Sequence, residues 1–301
     1  MKTVIGILDY VEDFVADKKR DNYALHSIKQ YVAVIKKFGK WLEESVGEID
    51  AAEISENNIK DYILILRENN AKQTTIGFQV AALKNYFNFL IDQDIVSKNP
   101  ARKIHIPKPD PHIEILTPDE IEKLLAIPNK RSDLGIRAIA IYYFLYDTGC
   151  RISELVKLDL EDINLESGQV RIQNSKSKAN DWRAVELSPK TVNSIKRWLK
   201  VRTRFINTEK KALFVSLKGG RRLKTISIQV PFANDLKKAG LRKVGIHTLR
   251  HSSISHRLEK GAPIEYLSKK AGHKSIATTI SYYVKFNQQY AKEIEDKFGV
   301  M

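Results

Sequence analysis

Apolar residues recur at three- and four-residue steps through the first hundred positions, the spacing that lays one greasy face along an α-helix. Ile28, Tyr31, Ile35, Phe38 and Leu42 mark such a face between Ala24 and Ser45. Ser55 has the residue type and position of an N-cap, and Ile59, Ile63 and Leu66 follow on one side. Ile76, Val80, Leu83, Phe87 and Leu90 form a third stripe. Helices joined by short polar loops predict a small bundle.

The pattern changes after Asn99-Pro100. Proline alternates with other residues through Ile106-Pro107-Lys108-Pro109-Asp110-Pro111, which favours an extended strap. Thr117-Pro118-Asp119-Glu120 then restarts a helix, with Thr117 as N-cap, Pro118 in the first turn and Glu120 set for a capping box. The domain boundary falls between Lys103 and Leu116: residues 1–103 form an N-terminal domain, 104–116 a linker and 117–301 a second domain.

The second domain is mixed. Ile136–Leu145 predicts a buried helix, and Ser153–Lys157 opens another. Periodicity then shortens to two: Val170 and Ile172, then Val185 and Leu187, flank the polar stretch Asn174–Trp182, predicting a β-hairpin with a long basic tip. Ser188-Pro189 starts a further helix, Ala212–Leu217 is expected to add a short strand, and the chain from about Ser227 is helical by pattern. The fold class is therefore mainly α with a small antiparallel β-sheet.

Charge narrows the function. Lys and Arg number 51 against 36 Asp and Glu, a formal net charge of +15. An excess of that size favours a polyanionic partner, nucleic acid first. Cys150 is the one cysteine, so an intramolecular disulfide and a cysteine-rich zinc site are both excluded. The opening MKTVIGILDYVEDF carries Asp9, Glu12 and Asp13 where a secretory signal needs an apolar run, and no uncharged stretch is long enough to span a bilayer. The expectation is a soluble, cytoplasmic protein without a membrane partner.

Four short segments carry the chemistry: Thr148-Gly149-Cys150-Arg151-Ile152-Ser153-Glu154-Leu155, Ser175-Lys176-Ser177-Lys178, His247-Thr248-Leu249-Arg250-His251, and Gly272-His273 followed nine positions later by Tyr282. Each alone has a bland reading: a surface arginine, a solvated lysine, a packed tyrosine. His247 and His251 are spaced like a metal pair, but the zinc-protease pattern requires Glu after the first His and Thr248 stands there. No metal or cofactor site is read from these segments.

In order and together, Arg151, Lys176, His247 with Arg250, His273 and Tyr282 resemble the signature of the tyrosine recombinase (integrase) family, its Xer-like members in particular. The surroundings agree: TGCRISEL at the first arginine, HTLRH at the second and GHKSIATTISYY up to the tyrosine. The resemblance covers nearly the whole chain. It implies an N-terminal helical bundle of the SAM-like, core-binding kind that clamps DNA, and a C-terminal mixed α+β catalytic domain. It also implies cleavage and rejoining of duplex DNA at specific recombination sites through a 3′-phosphotyrosine, with no cofactor and with a homo-tetramer in the synaptic complex.

Under that resemblance Tyr282 is the nucleophile, Lys176 the general acid at the hairpin tip, and Arg151 and Arg250 the phosphate clamps, with His247 and His273 orienting the phosphate and assisting proton transfer. Two guanidiniums suit the clamp because their forked donors are fixed and stay protonated. Ser177 stands where the family has glycine, and the tip is longer before Arg183, which leaves Lys178 open as the alternative acid. Tyr283 adjoins Tyr282, and the nine-residue step from His273 selects Tyr282. His251 and Cys150 read as packing residues, and Glu154 as local support for the Arg151 segment. Lys18-Lys19-Arg20, Lys36-Lys37, Lys196-Arg197, Arg202–Arg204 and Arg221-Arg222 are candidates for phosphate contacts. Tyr290, Ile294 and Phe298 repeat every four residues in a tail helix that docks on its own domain or on a neighbouring protomer. The resemblance leaves open whether the role is chromosome or plasmid dimer resolution or integration.

Overall fold

The computed structural model describes residues 6–107, 109, 113–174, 181–205, 210–273 and 275. The chain divides into two compact units, 1–111 and 112–301.

Among the described residues the first unit holds four α-helices, α1 (Val11–Arg20), α2 (Leu25–Ser45), α3 (Glu56–Glu68) and α4 (Gln73–Asp92), with a 3-10 turn at Ala51–Glu53. The apolar stripes read from sequence bury as expected, with Ile35, Phe38, Leu83, Phe87 and Leu90 fully enclosed in one core with Phe14 of α1. Ser55 caps α3 through its Oγ, which accepts from the Asn58 N–H at 3.3 Å, while Asn58 Oδ1 accepts the Ser55 N–H at 2.9 Å. Buried phenols find acceptors: Tyr62 donates to Gln79 Oε1 at 2.7 Å and Tyr86 to the Ile7 carbonyl at 2.6 Å. Ile104 joins this core, and Lys84 donates to its carbonyl at 2.7 Å.

The second unit opens on Leu116, fully buried, whose N–H donates to Ser252 Oγ at 2.9 Å. Its helices are α5 (Pro118–Ala126), α6 (Asp133–Thr148), α7 (Ile152–Leu155), α8 (Pro189–Arg202), α9 (Ile226–Lys238), α10 (Thr248–Glu259) and α11 (Ile264–Ala271). The capping box at Thr117 and Glu120 forms as read, with Glu120 N–H on Thr117 Oγ1 at 3.2 Å and Thr117 N–H on Glu120 Oε2 at 2.8 Å. Helix α6 is the hub, packed against α8 and α10. Its buried residues Ala140, Phe144 and Leu145 share a core with Trp198, Phe214 and Leu249.

Three antiparallel strands, β1 (Ile163–Asn164), β2 (Gln169–Gln173) and β3 (Trp182–Glu186), lie in the order β1-β2-β3. Val170 faces Val185 and Ile172 faces Arg183, so the period-two pattern sets the hairpin register. That register places Arg183 on the same face as buried Val185.

Two expectations are corrected. Within Ala212–Leu217, residues 212–215 are buried, but the stretch forms only isolated bridges, Asp159 with Ala212 and Val215 with Arg222. Side chains take its carbonyls: Arg202 Nε donates to Ala212 at 2.9 Å and Trp198 Nε1 to Leu213 at 2.9 Å, which leaves no regular ladder for a strand. Arg202, expected at DNA, is accordingly interior, 3% exposed. Arg222 turns inward as well, donating to the Val156, Lys157 and Leu158 carbonyls and to Asp159 Oδ1 at 2.5 Å. These two arginines hold loops together and are removed from the phosphate-contact candidates. No described helix is long and apolar enough to cross a membrane.

Candidate active site

The site begins where α6 stops. Gly149, at φ +63°, terminates the helix in the left-handed conformation that glycine adopts without a Cβ penalty. The turn buries Cys150 at 1% exposure and delivers Arg151 to the start of α7. Burial pushes the Cys150 thiol up to about 11, as befits a packing residue. Glu154 then folds back on Arg151: its Oε2 accepts the Arg151 N–H at 3.0 Å and its Oε1 accepts Arg151 Nη1 at 2.9 Å. The support expected of Glu154 is therefore direct.

The second arginine comes from α10. Arg250 is 4% exposed, and its Nη1 donates to the Gly149 carbonyl and the Ala271 carbonyl, each at 2.6 Å. Arg151 Nη1 reaches the next carbonyl along, Gly272, at 3.3 Å. The two guanidiniums thus converge on the end of α11. There Gly272, at φ +69°, and His273 close the helix, with the His273 N–H on the Ser268 carbonyl at 3.0 Å. Arg250 Nη2 is a buried donor with no hydrogen-bond partner among the described residues. A buried unsatisfied donor on a cation is costly unless something accepts from it.

The imidazoles gather round the same point. Burial, then the Arg250 and Arg151 charges, hold His273 down at about 3. His251 is pushed to about 4 by burial and by His247 and Arg250. His247 stands at the N-cap of α10, solvent-exposed, and partial desolvation together with Arg250 and Arg151 keeps it below its ordinary value. For Arg250, burial and the Arg151 charge lower the guanidinium to about 10, so it remains a cation at neutral pH. Burial would raise Glu154, but the Arg183 charge and hydrogen bonds from Arg183 and Arg151 win and hold it at about 2. Two guanidiniums close together, one with a buried donor that has no partner among the described residues, have the electrostatics that favour an anion.

These pKa values carry a prediction for the DNA-free protein. Unfolded imidazoles titrate near 6.5, whereas His251 and His273 resist protonation when folded. Their stability contribution is complete above about pH 6.5 and is lost as pH falls through that value toward the folded pKa values. After discounting for partial exposure, the loss by about pH 5 is on the order of 1 kcal/mol per histidine. Urea midpoints against pH will read it, and His273→Gln is expected to flatten the curve; an unchanged curve contradicts the assignment.

Arg151, His247, Arg250 and His273 are therefore brought together in the second unit. Lys176 and its alternative Lys178, Tyr282 with its neighbour Tyr283, and the tail residues Tyr290, Ile294 and Phe298 lie outside the described residues.

Sequence reasoning passed over Arg183. Its side chain, 9% exposed, donates from Nη2 to Glu154 Oε2 at 2.6 Å, from Nε to the Lys270 carbonyl at 2.8 Å and from Nη1 to Asn174 Oδ1 at 2.5 Å. The signal was available: a cation in phase with Val185 and Leu187 on the inward face of a strand needs a buried counter-charge.

With this geometry in place, comparison with known proteins gives its origin. Residues 114–289 match the model of the phage integrase family, and residues 11–94 match the phage integrase N-terminal SAM-like domain. The chain belongs to the phage integrase family of tyrosine recombinases. Tyrosine recombinase XerC of Vibrio vulnificus (strain YJ016) is 33% identical over 228 residues, 75% of this chain and 70% of that protein. Tyrosine recombinase XerD of Rickettsia conorii is 31% identical over 288 residues, 92% of each chain. In fold, the chain is similar to the Tn1549 transposon integrase in complex with transposon right end DNA, at TM-score 0.78 and 18% identity, covering 98% of this chain and all of that one. It is also similar to a lambda integrase tetramer bound to a Holliday junction, at TM-score 0.75 and 16% identity, covering 93% and 78%. The expected fold class, mainly helical with a small antiparallel sheet and a SAM-like first domain, holds in both units.

Proposed function

We propose that this chain is a site-specific DNA recombinase that breaks and rejoins duplex DNA through a 3′-phosphotyrosine at Tyr282. The observation that supports the reading is the buried Nη2 of Arg250, which has no partner among the described residues, close to Arg151: two permanent cations of the kind that can hold a phosphate's non-bridging oxygens as they gain charge.

In the step proposed, the Tyr282 oxygen attacks phosphorus, the P–O5′ bond breaks, and Lys176 protonates the departing 5′-oxygen. The phenol proton passes to one of the neutral imidazoles, His247 or His273, whose affinity for it rises once a phosphate anion is bound. Arg151 and Arg250 hold the non-bridging oxygens throughout. The phosphodiester energy is kept in the tyrosyl ester, so the 5′-hydroxyl of another strand restores the bond by the reverse path.

The domain limits belong to the same proposal: 1–103 clamps the duplex, 104–116 links, and 117–301 catalyses. So do a homo-tetramer on paired sites, and work in the cytoplasm on nucleoid DNA as an Xer-type resolvase of dimers or as an integrase. The shared Xer names of its relatives favour the resolvase. A nicked duplex bearing the target site is the test. A detergent-resistant protein–DNA adduct is expected that disappears in Tyr282→Phe and persists in Tyr283→Phe. An adduct surviving Tyr282→Phe would refute the nucleophile. Efficient relaxation of any supercoiled plasmid without recombinants would favour a topoisomerase instead, and absence of every adduct a DNA-binding accessory protein.

A further inference from the structure

Arg183 is given no role in the phosphate chemistry proposed above. It is a β3 residue whose guanidinium spends its donors on three separate elements: Glu154 of α7, the Lys270 carbonyl at the end of α11, and Asn174 at the end of β2. Asn174 in turn closes the base of the hairpin tip. Its side chain donates to Asp181 Oδ1 and its N–H to the Asp181 carbonyl, both at 2.9 Å. Gly272 completes the enclosure, because a Cβ there would lie 2.6 Å from Arg183 Nη1 and 2.8 Å from Asn174 Oδ1.

We infer that Arg183 is a positioning residue: it ties Asn174, which pairs with Asp181 across the β2–β3 connection, to the α11 terminus, and through that anchor it governs delivery of the general acid to the reaction. The inference rests on the proposed reading, in which Lys176 protonates the leaving oxygen. Lys176 follows Asn174 by two residues, so at most about 7 Å of chain separates it from that anchor. Arg151 makes two hydrogen bonds of its own to Glu154, from its N–H and its Nη1. Loss of Arg183 therefore falls on leaving-group protonation more than on phosphate binding.

That division can be measured. The full-length protein is given two nicked duplexes, one with the ordinary 5′-oxygen at the scissile phosphate and one with a bridging 5′-sulfur. Sulfur leaves as a thiolate and needs no proton. Arg183→Ala is expected to slow single-turnover adduct formation roughly 10- to 100-fold on the oxygen substrate, the scale of a small misplacement of a catalytic group. On the sulfur substrate it is expected to react within about fivefold of the wild-type chain, as Lys176→Ala should. Arg183→Lys, which keeps the charge and one donor, should fall between. If Arg183→Ala fails to fold, Asn174→Ala leaves the Arg183–Glu154 pair in place and should show the same sulfur rescue at smaller amplitude. Equal slowing on both substrates, or no slowing on oxygen, overturns the assignment of Arg183 while leaving Tyr282 standing. Adduct formation that does not depend on Tyr282 overturns both.

Discussion

Arg250→Lys is expected to lower the rate of DNA cleavage roughly 100- to 1,000-fold, the scale for removing one fixed transition-state donor. Arg250 works with both ends of its fork. Nη1 is spent on the Gly149 and Ala271 carbonyls, which fixes the plane of the guanidinium, and Nη2 is left as the buried donor without a partner among the described residues. Lysine restores the charge but not the plane, and its ammonium cannot hold two carbonyls and a phosphate oxygen in one geometry. DNA affinity should change little, because a duplex is held by many phosphate contacts and a single one shifts binding and its salt slope modestly. Rapid-quench cleavage beside a salt-dependent binding curve separates the two effects. A variant that cleaves within about threefold of wild type would remove Arg250 from the phosphate clamp.

The second large effect is on stability. Glu154→Ala is expected to destabilise the protein by about 3–5 kcal/mol, since it removes the fully enclosed carboxylate that Arg151 and Arg183 share and leaves both cations without their counter-charge. In a unit of this size that corresponds to a melting temperature lower by on the order of 10 °C. Glu154→Gln keeps the shape and some hydrogen bonds, and should lose less. The pH dependence identifies the cause. The Glu154 carboxyl is held at about 2, below its ordinary value of 4.5. Its stabilisation, roughly 3 kcal/mol, is therefore present in full above about pH 4.5 and disappears as pH falls toward 2. The gap between wild type and Glu154→Ala should narrow over that window. A gap that stays constant with pH would mean that the variant acts through packing rather than charge.

The stripes at Ile35, Phe38, Leu83 and Phe87 and the caps at Ser55 and Thr117 are local patterns, and local patterns are what a sequence displays. Helix α1 was harder to see because only Val11 and Phe14 are buried along it, too few to mark a face. Strand β1 has two residues, below any period. At the site, the order of Arg151, His247, Arg250 and His273 along the chain was enough to nominate them. Their assembly depends on contacts no period encodes: Arg250 with Ala271 and Gly149, Arg183 with Glu154 and Lys270. Arg202 and Arg222 misled for the matching reason. A basic pair looks the same whether it faces solvent or reaches back to backbone carbonyls, as both of these do.

Sequencing the attachment point tests the central claim most directly. The protein is trapped on a nicked substrate, digested, and the nucleotide-bearing peptide read by mass spectrometry. One labelled peptide is expected, with a 3′-phosphoryl nucleotide on the Tyr282 oxygen, formed by the wild-type chain and lost with Arg250→Ala. A nucleotide on Tyr283 or any other side chain, or one joined through its 5′ end, would contradict the account.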